Sequence, residues 1–188
     1  MGYRHALLAL SIALLGSLTP ACGKQIGDAC QINSDCASDG TRICDLPSQS
    51  PGGYCTIQGC DYSTCPDEAV CVRFFPGGGT GKSCNPKDPT GMDPTSVATA
   101  CTLDELCSLA GAPTVTVDDE HPLDSQGSCV LRSSEVRYCM KQCDSNDDCR
   151  DGYECRDLAK MKDHGGEPVL APGKTVDASA PKFCAIAP

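Results

Sequence analysis

The sequence predicts a small disulfide-rich protein, dominated by loops, with short antiparallel strands and one short helix near residues 102–110. The chain of 188 residues contains 17 cysteines. Cys22 stands apart, and the other sixteen lie from Cys30 to Cys184. Sixteen is an even number, so these cysteines can pair completely. Trp is absent and large apolar side chains are few, so crosslinks must replace much of the core expected for this length.

Residues 1–21 have the pattern of a signal peptide. Arg4 supplies a short positive region, and an apolar run follows from Ala6 to Leu15. The run is too short to cross a bilayer as a permanent helix, so we expect an exported protein whose leader is removed. Ordinary secretory cleavage after Ala21 would leave Cys22 as the first residue of the mature chain.

The residues around Cys22 favour a second interpretation, in which this cysteine carries a lipid. The block Leu18–Gly23 resembles a bacterial lipobox, although Thr19 stands where Leu or Val is usual. The resemblance implies a thioether-linked diacylglycerol and an amide-linked acyl chain on Cys22, which together form a stable anchor. Gly23 after that cysteine, rather than Asp, implies sorting to the outer membrane.

The other cysteines recur in units of four. In two copies an Asp, either Asp35 or Asp148, directly precedes the second cysteine, and a Gly follows it within a few residues, as in a tight loop held at both ends. The copies are Cys30, Cys36, Cys44 and Cys55; Cys60, Cys65, Cys71 and Cys84; and Cys143, Cys149, Cys155 and Cys184, while Cys101, Cys107, Cys129 and Cys139 belong to a divergent central segment.

This arrangement predicts three parts in the mature chain. They are N-terminal modules over 22–84, a central segment over 85–128 and a C-terminal module over 129–188. Spacing leaves the connectivity open; our hypothesis pairs first with third and second with fourth cysteine, as in Cys30 with Cys44 and Cys36 with Cys55. We expect no disulfide to join 25–84 to 129–184, and a hinge between Cys71 and Cys101.

The spacing C-x5-C-x(5–7)-C resembles small cysteine-rich modules of extracellular proteins, of the Dickkopf and whey-acidic-protein types. It is also similar to the cysteine-rich repeats of secreted bacterial lipoproteins. The resemblance covers about half of the mature chain. The second copy lacks the Asp and the Gly, and the adjacent double cysteine of whey-acidic-protein modules is missing. The resemblance implies a binding or structural role outside the cytoplasm.

Two segments between the cysteines have their own signals. Thr102 and Glu105 form a capping-box pattern ahead of a stripe of leucines, which predicts the helix near 102–110, and 113–118 reads as a short strand. The segments 76–83 and 164–182 lack periodicity and predict loops.

Candidate ligand-binding residues are few. Asp144, Asn146 and Asp148, with Asp151 nearby, alternate as calcium ligands do at the start of an EF-hand loop, although cysteines occupy its glycine and closing positions. The alternative is that these side chains cap turns. Zinc is not expected because no C-x2-C pair exists. Pro76–Ser83 is close to a phosphate-binding loop, but Cys84 and Pro86 leave no room for the helix that such a loop requires.

No residue is nominated as catalytic, and no cofactor is expected. The mature chain has two histidines, His121 and His164, and neither lies beside a nucleophile motif. The formal charge of −10 disfavours nucleic acid as a partner.

We therefore expect a lipid-anchored binding or structural protein of the cell envelope, with a protein or envelope component as partner. The alternative is a secreted inhibitor or receptor-like ligand that presents the rigid loop Leu46–Tyr54.

Overall fold

Short antiparallel strands and disulfides build this protein, as the sequence predicts, and the fold class is confirmed. The computed structural model describes residues 23–47, 52–86, 101–109 and 127–188. The strands are β1 Ala29–Cys30, β2 Ile43–Asp45, β3 Gly53–Thr56, β4 Ala69–Phe74, β5 Gly79–Cys84, β6 Glu105–Ser108, β7 Gly127–Leu131, β8 Val136–Lys141, β9 Tyr153–Arg156, β10 Glu167–Pro168 and β11 Phe183–Ile186. The helices are α1, Asn33–Cys36, and α2, Leu158–His164.

Four copies of one unit make up the described chain, each with two disulfides. In every copy the first cysteine bonds the third and the second bonds the fourth. The first unit holds Cys30–Cys44 and Cys36–Cys55, the second unit Cys60–Cys71 and Cys65–Cys139, the inserted unit Cys84–Cys107 and Cys101–Cys129, and the last unit Cys143–Cys155 and Cys149–Cys184.

The third and fourth cysteines of each unit are direct partners in an antiparallel strand pair. Four such pairs occur: Cys44 with Cys55, Cys71 with Cys139, Cys107 with Cys129, and Cys155 with Cys184. Because side chains alternate across a strand, partners on the same face lie side by side. The two disulfides then join each strand pair to the first and second cysteines in the preceding loop. They close the unit without a large apolar core.

The turn between the second and third cysteines is also the same in all four units. The backbone N–H four residues after the second cysteine donates to the carbonyl oxygen one residue after it, in Gly40 to Ala37, Ala69 to Pro66, Glu105 to Thr102 and Tyr153 to Arg150. The turn reverses the chain so that the third cysteine enters a strand directly. This shared geometry places Cys101, Cys107 and Cys129 in a unit of the same kind, although the sequence assigned them to a divergent central segment.

The inserted unit lies inside the second unit. We predicted from its position that Cys84 closes the second unit. Instead Cys139 closes it, and Cys84 bonds Cys107. The prediction that no disulfide joins 25–84 to 129–184 is therefore wrong, because Cys65–Cys139 does so. Strand pairing crosses the same boundary, since β4 pairs along its whole length with β8.

The predicted helix near 102–110 is also wrong, although its local interactions form. Thr102 donates its backbone N–H to Glu105 Oε2 at 2.9 Å, and Glu105 returns its own N–H to the Thr102 carbonyl. The chain then continues as β6, because Cys107 is held opposite Cys129. Residue 110 and the predicted strand at 113–118 lie outside the described residues.

Two segments that we predicted as loops contain regular structure. Residues 79–84 form β5, which pairs with β7, so part of the segment predicted as a hinge is a strand. Within 164–182, β10 pairs with β4 and buries Glu167, which leaves 2 % of its surface exposed. The helix α2 before it is capped by Asp157, whose side chain accepts the Lys160 N–H.

The main apolar cluster lies where the first, second and last units meet. Its fully buried members are Ile26, Val72, Cys139, Met161 and Phe183. Within the part of the chain that the structure describes, neither helix is long and apolar enough to span a membrane.

Candidate functional site

The acidic loop of the last unit binds its own backbone. Asp148 Oδ2 accepts N–H groups from Asp144 at 2.8 Å and Ser145 at 3.0 Å, and Asn146 Oδ1 accepts the Cys155 N–H at 2.9 Å. The backbone hydrogen bonds from Ser145 and Asp144 lower the pKa of Asp148. These oxygens therefore shape the loop that precedes the second cysteine.

The first unit repeats this arrangement atom for atom. Asp35 Oδ2 accepts N–H groups from Gln31 at 2.8 Å and Ile32 at 3.2 Å, and Asn33 Oδ1 accepts the Cys44 N–H at 2.9 Å. The same two backbone donors lower the pKa of Asp35. Both units share the sequence pattern C-x2-N-x-D-C, of which we recognised only the Asp. We missed the Asn, whose side chain accepts the backbone N–H of the third cysteine.

In the second unit a threonine holds the loop before the second cysteine. Thr64 precedes the second cysteine, and its hydroxyl accepts the Asp61 N–H at 2.7 Å. A hydroxyl oxygen thus takes the place of the carboxylate. This substitution explains why the second copy keeps its loop without the Asp.

Two of the four candidate calcium ligands, Asn146 and Asp148, are engaged by the backbone of their own unit. Asp148 and Asn146 are turned toward backbone donors, the Asp144 carbonyl accepts from Lys182 Nζ at 3.1 Å, and Asp151 lies in the Arg150–Tyr153 turn. Lys160 Nζ also donates to Asn146 Oδ1 at 3.3 Å. The geometry thus favours the alternative in which these side chains cap turns.

An aromatic junction joins the first and last units. The rings of Tyr54 and Tyr153 stack with centroids 5.2 Å apart, and the Arg150 guanidinium lies 4.3 Å from the Tyr153 centroid. The Tyr54 hydroxyl accepts the Lys141 N–H at 2.9 Å and donates to the Cys184 carbonyl at 3.4 Å. Burial raises the pKa of Tyr54, so it stays neutral.

His164 is part of an ionic cluster of the last unit. Its Nδ1 lies 2.6 Å from Glu154 Oε1, which also accepts from Arg156 Nε at 3.0 Å. Burial alone would raise the pKa of Glu154, but hydrogen bonds from His164 and Arg156 lower it overall. Arg156 also donates to the carbonyl oxygens of His164, Gly165 and Ile186, so the cluster ties α2 to β9 and β11. His121 lies outside the described residues.

A cavity of about 510 Å³ lies between the inserted unit and the segment after β10. Its walls include the ion pair of Arg73 Nε with Glu167 Oε1, 3.3 Å apart. On the opposite side Glu105 binds Lys82 Nζ. The Thr102 backbone N–H, followed by the Thr102 hydroxyl, lowers the pKa of Glu105 to about 2. These four charges are paired with each other, Arg73 with Glu167 and Lys82 with Glu105.

The N-terminal segment after Cys22 is bound to the body of the protein. A Cβ atom on Gly23 would lie 3.3 Å from the Cys36 carbonyl oxygen, and the Lys24 carbonyl accepts from Arg42 Nη1. Ile26 is fully buried. Cys22 itself lies outside the described residues. All sixteen cysteines from Cys30 to Cys184 are used in the eight disulfides, so none of them is left to pair with it.

Comparison with family models, curated proteins and solved structures finds no match for this chain.

Proposed function

We propose that this protein is an extracytoplasmic binding or structural module, tethered to the cell envelope by lipid on Cys22. The observation that supports the proposal is the complete pairing of the sixteen cysteines after it. A free thiol at a secreted N-terminus would be reactive. Lipidation uses that thiol, and Gly23 in the next position favours the outer membrane.

The binding role is supported by exposed apolar side chains on the rigid loops of the first two units. Ile32 and Tyr62 each stand two residues after the first cysteine of their unit, and 60 % and 49 % of their surfaces are exposed. The loops that carry them are held by side chain to backbone hydrogen bonds and by a disulfide at either end. Rigid loops lose little entropy on binding, so they suit recognition of a protein or envelope component.

Metabolic labelling with a palmitate analogue tests the anchor. The wild type should be labelled and should sediment with membranes, whereas Cys22→Ser should be unlabelled and released. Alkylation without reductant serves as the control, since both proteins should show no reactive thiol among the sixteen paired cysteines. Equal labelling of both proteins would exclude Cys22 as the lipid site.

A second candidate is a secreted inhibitor or receptor-like ligand that acts through the loop Leu46–Tyr54. It is favoured by Leu46, which is 60 % exposed at the end of β2, and by Arg150, which donates to the carbonyl oxygens of Gly52 and Gly53 at the other end of the loop. Residues 48–51 lie outside the described residues. If this candidate holds, Leu46→Asp should abolish capture of the partner while Leu131→Asp, an exposed leucine elsewhere, should not.

A further inference from the structure

We infer that the first unit lies directly on the surface of the bilayer that holds the anchor, with Ile32 in the head-group region. The inference rests on the proposed lipidation of Cys22 and identifies the lipid surface as the partner of this face. It follows from the way in which the residues immediately after Cys22 are fixed to the first unit.

No flexible spacer separates Cys22 from the first unit. Gly23 packs against the Cys36 carbonyl, and neighbouring Cα atoms along a chain are about 3.8 Å apart. Lys24 Nζ donates to the Ala29 carbonyl at 2.6 Å, and the Gln25 N–H donates to Asp28 at 2.8 Å. A lipid on Cys22 therefore draws this end of the unit to the membrane.

The attachment of this segment is rigid because two units hold it. Arg42 donates through Nη1 to the Lys24 carbonyl and pairs through Nη2 with Glu68 Oε1 at 3.3 Å. Glu68 also accepts the Ile26 N–H at 3.4 Å, and Ile26 is buried in the main apolar cluster. Burial of Ile26 therefore limits how far this segment can move from the first unit.

An exposed apolar side chain lies one helical turn before the residue that Gly23 contacts. Ile32 immediately precedes α1, a single turn that ends at Cys36, the residue against which Gly23 packs. One helical turn advances about 5.4 Å, so Ile32 stands close to the anchor. The head-group region on each side of a bilayer is about 5–8 Å thick. A lipid one residue before Gly23 therefore brings Ile32 to this depth.

The charges near the attachment point do not oppose contact with lipid. Lys24 and Arg42 lie close to Asp35 and Asp39, and their positive charges help to lower the pKa of these carboxyls, after hydrogen bonds made within the same loops. These two cations thus offset two of the four carboxylates in residues 23–47. A zwitterionic membrane surface suits such a face.

Single-tryptophan reporters test this orientation, because the natural chain contains no Trp. Ile32→Trp and Leu103→Trp each replace an exposed apolar residue, the second on the inserted unit. The lipidated proteins are placed in phosphatidylcholine vesicles brominated on the acyl chains. We expect loss of fluorescence for Ile32→Trp and none for Leu103→Trp. Ser38→Trp, an exposed position two residues after Cys36, is a second reporter in case Ile32→Trp does not form all its disulfides.

A spacer variant separates this inference from the anchor itself. About ten Gly and Ser residues between Gly23 and Lys24 would span roughly 17 Å on average. The variant should still bind vesicles, but Ile32→Trp should no longer be quenched. Vesicle-bound protein in which Ile32→Trp and Ser38→Trp are unquenched, or in which Leu103→Trp is quenched equally, would overturn the inference and leave the anchor in place. Failure of the wild type to bind vesicles would overturn both.

Discussion

Cys71 lies directly opposite Cys139 in the β4–β8 pair, and the same ladder ends at the partners Phe74 and Val136. Residues 75–135 are therefore the connection of a single β-hairpin, and this connection contains the whole inserted unit. The relationship explains why the second unit takes its fourth cysteine from beyond the next unit. It also leads to the first two predictions.

Cleavage of the chain in the turn before β5 should leave its two parts covalently joined. Gly77 and Gly78 are exposed, so a protease recognition sequence can be inserted between them. Of the eight disulfides, Cys65–Cys139 alone joins the chain before this point to the chain after it. On a nonreducing gel the cut protein should migrate as one species, and the double variant Cys65→Ala/Cys139→Ala should separate into two. Loss of this bond should also cost about 2–5 kcal/mol of stability.

Removal of the inserted unit should leave the other three units folded. We expect that replacing residues 75–135 with Asn-Gly, which favours a tight hairpin turn, keeps Cys71 opposite Cys139. Mass spectrometry should then find the disulfides of the first, second and last units. Extending the deletion through Val136 shifts the register by one residue, so that shorter variant should form mixed disulfides instead. Correct pairing in both would contradict the role assigned to the hairpin.

The turn carboxylates should contribute to stability and not to calcium binding. Asp148→Ala removes the acceptor for the Asp144 and Ser145 N–H groups, and Asp35→Ala removes the equivalent acceptor in the first unit. Both variants should melt at a lower temperature, whereas Asp147→Ala, on an exposed neighbour, should melt like the wild type. Added Ca²⁺ should leave all melting temperatures unchanged. A rise with Ca²⁺ that Asp148→Ala abolishes would restore the calcium site.

The Tyr54 hydroxyl should stabilise the junction between the first and last units. Tyr54→Phe keeps the ring that stacks on Tyr153 but leaves the Lys141 N–H and the Cys184 carbonyl without this partner. Because these groups are buried or half-buried, the free energy of unfolding should fall by about 1–3 kcal/mol. Denaturant titration measures the loss. Tyr62→Phe, at an exposed site, is the matched control and should change little.

The inserted unit should lose stability in acid because of Glu105. Its pKa falls from 4.5 to about 2 in the folded state, so the folded form stabilises the carboxylate. That contribution is complete above the unfolded pKa and disappears as the pH falls from about 4.5 to about 2. The guanidinium midpoint should therefore drop across this range, and Glu105→Gln should flatten the drop. An unchanged slope in Glu105→Gln would assign the acid sensitivity to other groups.

Local chemistry was sufficient to predict the fold class and the pairing rule within a unit. The bonds Cys30–Cys44 and Cys36–Cys55 agree with the hypothesis taken from spacing. The same rule failed for Cys84, because it was applied to the nearest cysteine along the chain. The spacing Cys101-x5-Cys107, equal to Cys65-x5-Cys71, was the available sign of a fourth unit. We did not recognise this unit because Thr102 and Glu105, within the same spacing, also fit the start of a helix.

The sequence by itself determined the number of cysteines, the odd position of Cys22, and the small residues that close each loop, since these depend on short-range chemistry. Only the tertiary structure decided that Cys65 bonds Cys139, that Glu105–Ser108 is a strand, and that Gly23 packs on the first unit. The first two depend on strands distant in the chain becoming neighbours, and the third depends on a contact of the N-terminal segment with the end of α1. The free energy of such contacts comes from partners that are distant in the sequence. It therefore overrides the helix and loop preferences of the neighbouring residues.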